Sequence, residues 1–227
     1  MSSSNSPAAN LLPLNPDELI STTRAVRKRL DFSRPVPRDL ILECAAAALQ
    51  APSGSNQVTM QFVVVTDAEK KMAIADIYRE VWEQYTKAPI FAGAIKRESA
   101  EAQAQQDRVA DSAGYLAENM HNAPALVLSC THLRAPREAL GFSAVAATMG
   151  NILPATWNFM LAARARGLGT AWTTLHLAQE QRVADVVGIP YDTVAQTVLF
   201  PIAYTLGTDF RPAMRPAPET IVHFDTW

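Results

Sequence analysis

The sequence predicts an α+β domain in which a small mixed sheet is flanked by helices. Short, almost wholly apolar runs such as ALVLSC (125–130) are typical of buried strands. They alternate with longer stretches whose apolar residues recur at helical spacing, as in 34–50. At 227 residues the chain can bury one large core, so residues 16–227 are expected to form a single domain.

The expected order is helix, helix, strand, helices, strand, long helix, strand, helix, strand. The first helix begins after Asn15, has Pro16 in its first turn and is expected to cover 16–29. The other clear helices are predicted at 34–50, 68–85, 141–169 and 178–190. The strands are predicted at 60–67, 125–130, 170–175 and 193–207.

Four segments carry expectations beyond secondary structure. Residues 1–15 are expected to be a disordered tail, and 86–122 predict one or two helices, so that about 78–122 form a candidate lid or substrate region. The long helix is apolar on more than one face, which indicates burial within the domain or between subunits, and Pro154 should kink it. The arm 208–227 is rich in proline but too apolar to stay exposed to solvent. It is therefore expected to pack over another surface, such as that of a partner subunit.

Composition excludes several classes of function. The net charge is −2, from 20 basic and 22 acidic residues, which gives no field for nucleic acid or an anionic membrane. No apolar run approaches the ~18 residues that span a bilayer, and the N-terminus has no signal-peptide pattern, so a cytoplasmic protein is expected. The two cysteines are predicted to be buried thiols, and the four histidines have no ligand spacing, so no metal site is expected.

The polar residues of interest suit anion and ring binding rather than hydrolysis. The sequence contains no GxSxG and no plausible Cys–His or carboxylate pair, and GLG (167–169) follows a helix instead of opening one. Basic and hydroxyl side chains remain, and they suit a phosphate and a flat heterocycle. They are Arg24, Arg27, Lys28, Ser53, Ser55, Asn56, Arg211 and Arg215. Each group has a simpler explanation, because the turn could be a plain connection and the basic run a solvated face.

Taken in order, several blocks of the chain resemble the FMN-dependent nitroreductase family. The blocks are TTRAVRKRLDFSRPVP, AALQAPSGSNQVTMQFVVVTD, NMHNAPALVLSC, NILPATWNFMLAARARGLGTAWTT, GIPYDTVAQTVLFPIAYTLG and MRPAP. The resemblance runs from about residue 20 to 222 and is specific only as a series. It implies an α+β nitroreductase-like fold and an intertwined homodimer with two FMN sites at the interface. Helix 142–166 would form much of that interface, and the arm 208–227 would embrace the partner.

The resemblance also implies a set of cofactor-binding residues. They are Arg24, Ala25, Val26, Lys28, Pro52, Ser53, Ser55, Asn56, Trp172, Thr173, Thr174, Leu175, Arg211 and Arg215. Arg24 and Lys28 would bind the phosphate and the pyrimidine end of the ring, with Val26 between them on the same face. Arg215, and to a lesser degree Arg211, would add to the phosphate site.

Two further segments of that set would reach the ring. The turn 53–56 would contact the FMN of the other subunit, and the strand 172–175 would offer a backbone N–H near the flavin N5. Many family members have Asn-x-Gln-Pro-Trp after the turn, but here Val58, Thr59 and Met60 stand in place of Gln, Pro and Trp. The entry to the strand and the floor of the pocket are therefore expected to differ.

The implied chemistry belongs to the cofactor. NADH or NADPH, with NADPH favoured, would give a hydride to FMN, and a nitroaromatic or quinone would then take it in a ping-pong cycle. Lys28 would stabilise the negative charge of the reduced flavin. Trp82 and Tyr115 are the candidate substrate-binding residues, although core packing explains such aromatic residues equally well.

Three other functions stay open at this stage. The same flavin fold could serve dehalogenation, ene reduction or flavin breakdown, because fold does not fix function. The chain could also bind FMN without turnover, or it could be a helical domain with no flavin.

Overall fold

The computed structural model describes residues 11–227. Of the predicted tail 1–15, residues 1–10 lie outside the described residues. Leu12 is tied to the domain, because its N–H donates to the carbonyl oxygen of Ala165 at 2.7 Å. The first helix starts at a capping box in which Asn15 and Glu18 each accept the other's backbone N–H.

Six helices and five strands make up the described domain. The helices are α1 (Pro16–Thr22), α2 (Arg38–Ala48), α3 (Ala68–Tyr85), α4 (Ala100–Asn119), α5 (Phe142–Ala165) and α6 (Glu180–Val187). The strands are β1 (Leu30–Asp31), β2 (Met60–Val65), β3 (Ala125–His132), β4 (Leu168–Thr170) and β5 (Val194–Thr205). The long helix continues through Pro154 as one element, and the region 86–122 contributes α4.

The strands form one sheet in the order β1-β5-β3-β2, with β4 also paired to β5. Every ladder between these five strands is antiparallel. An isolated bridge between Ala25 and Thr170 is parallel. With this bridge the sheet contains both pairing directions, as in the mixed sheet that the sequence predicts. This bridge fixes the basic segment that follows α1 beside β4.

Both faces of the sheet are covered by helices, which accounts for the apolar strands. In β3, Val127 belongs to a core with α2 and α5, while Leu126 and Leu128 belong to a second core with α3 and α6. Successive side chains of a strand point to opposite faces. A strand buried on both faces therefore needs apolar residues at every position, not at alternate ones.

The first helix is shorter than the sequence predicts. The expected helix over 16–29 ends at Thr22, where the hydroxyls of Thr22 and Thr23 donate to carbonyl oxygens one turn back, at 2.6 Å each. Val26 N–H instead donates to the carbonyl oxygen of Thr170 at 2.8 Å. Pairing with β4 therefore overrides the helical propensity of the basic segment.

Gly169 makes this close pairing possible. A Cβ atom at position 169 would lie 2.7 Å from Thr205 Cγ2 and 2.9 Å from Val26 Cβ.

The expected strand over 170–175 is shifted, because β4 covers 168–170 and the chain then bends. Only Thr173 pairs again, through two backbone bonds of 3.0 Å with Leu199.

Apolar side chains stay exposed at two places. The N-terminal half of α5 leaves Phe142 89% exposed, and the arm that ends the chain leaves Phe224 and Trp227 open to solvent. Within residues 11–227, no helix combines the length and the apolar character needed to cross a membrane. The all-round apolar pattern of α5 thus corresponds to a buried C-terminal half and an uncovered N-terminal half.

Candidate functional site

A basic cavity of about 300 Å³ lies where the segment after α1 meets the start of the C-terminal arm. Its lining residues are Arg24, Ala25, Val26, Arg27, Lys28, Arg29, Ser112, Asp209, Phe210 and Arg211. The single carboxylate in this set, Asp209, is paired with Arg29 at 2.6 Å. The cavity therefore has uncompensated positive charge and suits an anion.

The charge of Arg215 acts on Arg24, although 190 residues separate the two in the chain. Burial, and after it the positive charge of Arg215, lowers the pKa of Arg24. Within residues 11–227 neither guanidinium forms an ion pair with a carboxylate. Two positive charges without carboxylate partners favour the binding of a dianion such as a phosphate monoester.

Val26 and Lys28 both line the basic cavity, but each is also engaged elsewhere. Val26 is 5% exposed and packs with Leu30 and Ala203 in a small core. Lys28 is exposed and turned to α4, where its Nζ lies 2.5 Å from Asp111 Oδ2. Helix α1 ends before both residues, which lie in or next to the extended segment that pairs with β4.

Arg27, which the family pattern does not include, is more buried than Lys28. It lines the basic cavity and also the aromatic cleft that adjoins it, and its Nη1 donates to Ser112 Oγ at 3.1 Å. Burial, the largest influence on this side chain, lowers the pKa of Arg27. The sequence singled out Arg27 within the basic run but not as a cofactor residue; Ser112 was missed, since nothing in its Ala/Gln/Glu-rich surroundings distinguishes it.

The aromatic cleft has a volume of about 380 Å³. It is lined by Arg27, Tyr78, Trp82, Tyr85, Ile90, Ala113, Leu116, Trp172, Thr173, Thr174 and Leu175. The expected residues 172–175 and Trp82 thus line one cleft. Tyr115 does not line this cleft; its ring lies 6.0 Å from Lys28 Nζ.

Ring packing stiffens the outer wall of the cleft. Phe91 meets Trp82 and Tyr85 edge to face, with centroid distances of 5.7 and 5.4 Å. The hydroxyl of Tyr85 accepts the N–H of Ala92 at 3.2 Å, which ties the segment after α3 to this wall. The candidate lid region therefore contributes several lining residues to the cleft.

The turn that carries Ser53, Ser55 and Asn56 lies away from both cavities. Pro52 and these three residues line neither the basic cavity nor the aromatic cleft of the described chain. Ser55 and Asn56 have φ values of 58° and 53°, in the left-handed region that favours glycine. Asn151 of α5 holds the turn, since its Oδ1 accepts Gly54 N–H at 2.7 Å.

Other reactive side chains offer no alternative chemistry. Cys44 and Cys130 are free and buried, and burial raises the pKa of each thiol to about 12. Such thiols are poor nucleophiles at neutral pH. Among residues 11–227, no three His, Cys, Asp or Glu side chains gather as metal ligands.

His176 comes directly after residues 172–175 of the aromatic cleft. Its burial predicts that the protein loses stability in acid. It is fully buried without a hydrogen-bond partner, and burial lowers its pKa to about 3. The unfolded chain binds a proton there near pH 6.5. The free energy of unfolding should therefore fall as pH drops from about 6.5 towards 3, by up to about 1.4 kcal/mol per pH unit.

Urea unfolding of His176→Phe at several pH values tests this dependence. The variant is expected to lose less stability on acidification than the unchanged protein. His223→Phe, at an exposed position, is the matched control and should keep the original slope. Equal slopes for all three proteins would contradict the assignment to His176.

The comparison with known protein families decides the identity of the fold. The model of the nitroreductase family matches residues 20–204.

The chain belongs to the nitroreductase family.

Solved structures agree with this membership. Iodotyrosine deiodinase bound to FMN and 3-iodo-L-tyrosine superimposes with a TM-score of 0.68 at 20% identity, over 93% of this chain and 99% of that one. A BluB-like flavoprotein from Clostridium difficile 630 gives 0.68 at 19% identity, over 94% and 100%. Nitroreductase A from Vibrio parahaemolyticus gives 0.66 at 18% identity, over 93% and 75%. A search of curated proteins gave no match.

These likenesses confirm the predicted α+β nitroreductase-like fold. At identities of 20% or less they establish the architecture only. The substrate of this nitroreductase-family chain has to be argued from its own residues.

Proposed function

We propose that this nitroreductase-family protein is an FMN-dependent oxidoreductase that passes a hydride from NADH or NADPH to a nitroaromatic or quinone acceptor. The observation that carries the proposal is the junction at Arg27, where a basic cavity opens beside an aromatic cleft. A flavin mononucleotide has the same division, with a phosphate at one end and a flat ring system at the other.

The donor set fits the two ends of FMN. Arg24 and Arg215, with Arg211 on the cavity wall, would hold the phosphate by charge-assisted hydrogen bonds. Arg27 would bind the polar edge of the ring, because it is the one charged side chain that lines both cavities. Trp172 and Thr173 would lie along the ring.

When bound, FMN supplies the chemistry, by accepting a hydride from a nicotinamide and giving it to an acceptor. The protein residues position the cofactor and the acceptor and shield them from water. Trp82, Tyr85 and Ile90 form an apolar wall for a flat acceptor and exclude water from it. No side-chain acid or nucleophile is required, and the buried thiols agree with that.

We also propose that the working unit is a homodimer. The turn 53–56 lies outside both cavities of its own chain, so a second copy would have to bring it to the ring. The uncovered N-terminal half of α5 and the apolar C-terminal arm are surfaces that such a partner would bury.

The purified protein tests the proposed function directly. We expect it to bind FMN, to be bleached by NADH or NADPH without oxygen, and to recover its colour when a nitroaromatic or quinone is added. Flavin that neither nicotinamide reduces would refute the proposed reaction. FMN that is reduced but reoxidised only by 3-iodo-L-tyrosine would indicate dehalogenation, and failure to bind FMN would reject every flavin function.

The comparison of Arg27 with Lys28 gives a separate prediction. Arg27→Ala should weaken FMN binding by about 1.5–3 kcal/mol, the usual contribution of a charged hydrogen bond. Lys28→Ala should change it by less than about 1 kcal/mol, because Lys28 is exposed and paired with Asp111. Fluorescence titration with FMN measures both. A larger loss for Lys28→Ala would restore the role that the family pattern implies for Lys28.

A further inference from the structure

Tyr78 has a buried hydroxyl whose partner lies in the aromatic cleft. The residue is 3% exposed on α3, and its hydroxyl lies 3.0 Å from Thr173 Oγ1. Either oxygen can donate in such a pair. Two backbone hydrogen bonds to Leu199 fix the backbone of Thr173. What can still change is which of the two hydroxyl groups donates the hydrogen bond.

The positive charge of Arg27 favours one direction of that bond. Arg27 lines the same cleft, and its positive charge acts on Tyr78: burial raises the pKa of Tyr78, while the bond to Thr173 and the charge of Arg27 lower it. A guanidinium can only donate hydrogen bonds. The lone pairs of the Tyr78 oxygen therefore favour the side of Arg27, and its proton is left to point to Thr173.

We propose that Tyr78 is a positioning residue that donates to Thr173 and thereby leaves the Thr173 hydroxyl as a hydrogen-bond donor to the ligand in the aromatic cleft. Thr173 would donate to the ligand, and the Tyr78 hydroxyl, at the edge of the same cleft, would act on that donor through Thr173. The inference rests on the proposed function, since the ligand in question is the flavin ring.

A fixed donor beside the ring has a measurable consequence. A donor stabilises the state with more electron density next to it, which for a flavin is the reduced state. Loss of the Tyr78 hydroxyl would leave Thr173 Oγ1 without the donor that orients it, and the Thr173 hydroxyl could rotate away from the ligand. Reduced FMN would then bind less tightly relative to oxidised FMN, and the midpoint potential of the bound cofactor would fall.

The experiment is a set of midpoint potentials of bound FMN for five proteins. We expect Tyr78→Phe to weaken the binding of reduced relative to oxidised FMN about tenfold, or about 30 mV for a two-electron couple. Thr173→Val should give the same shift, and the double variant should add nothing to it. Thr173→Ser should keep the original potential, because serine retains the hydroxyl.

Tyr204→Phe is the control. It removes a phenolic hydroxyl from β5 at a residue that lines neither the basic cavity nor the aromatic cleft. An unchanged potential in Tyr78→Phe would overturn the inference while leaving the flavin function intact. A further shift when Tyr78→Phe is added to Thr173→Val would also overturn it. If the unchanged protein binds no FMN, the proposed function and this inference both fail.

Discussion

Joint replacement of Arg24 and Arg215 with alanine is expected to weaken FMN binding by about 3–6 kcal/mol, twice the contribution of one charged hydrogen bond. That is a loss of roughly a hundredfold to ten-thousandfold in affinity. The reason is electrostatic, because burial and the charge of Arg215 already lower the pKa of Arg24 before any anion is present. A phosphate dianion would turn that repulsion into attraction on both sides.

Isothermal titration with FMN measures the loss, and inorganic phosphate gives a second reading without the ring. Phosphate should raise the melting temperature of the unchanged protein and have a smaller effect on the double variant. Arg182→Ala is the matched control, since Arg182 is exposed and paired with Glu80 outside both cavities. Equal FMN affinity in the double variant and the control would mean that the phosphate binds elsewhere.

Replacement of Arg137 with methionine is expected to lower the free energy of unfolding by about 3–5 kcal/mol. Arg137 makes a two-pronged pair with Glu180, at 2.8 and 2.9 Å, and both side chains are largely buried. It also donates to the carbonyl oxygens of Tyr191 and Val194. Loss of the guanidinium leaves the Glu180 carboxylate buried at the start of α6 without its counter-charge.

Urea unfolding tests the role of this pair. Arg137→Met combined with Glu180→Gln should recover a large part of the loss, because no uncompensated charge then stays buried. Arg182→Ala breaks an exposed pair and should cost about 1 kcal/mol or less. A similarly small loss for Arg137→Met would show that Glu180 finds water or another partner.

The sequence predicts the parts of the fold that local pattern controls. Helix α3 (68–85) has the predicted bounds, because its apolar period is regular and Asp67 caps it by accepting Lys70 N–H. Strand β3 is predicted from its apolar run, since both faces of the sheet are covered. These elements need no knowledge of their distant neighbours.

The parts that fail depend on contacts between distant segments. Nothing near Thr22 signals that the next residues will pair with Thr170, so the helix is extended too far and the place of Arg27 in both cavities is not foreseen. The cofactor residues of the turn and of the basic segment come from one family pattern. The structure separates them within a chain, which no local pattern can foresee.

The uncovered half of α5 has a consequence for how this protein must be handled. Phe142 and Val145 there, and Ile221, Phe224 and Trp227 on the arm, are apolar groups that a lone chain leaves in water. If a second copy covers them, part of the folding free energy depends on encounter between chains. Dilution then acts as a denaturant, and the lifetime of the protein in a cell would depend on how much of it is made.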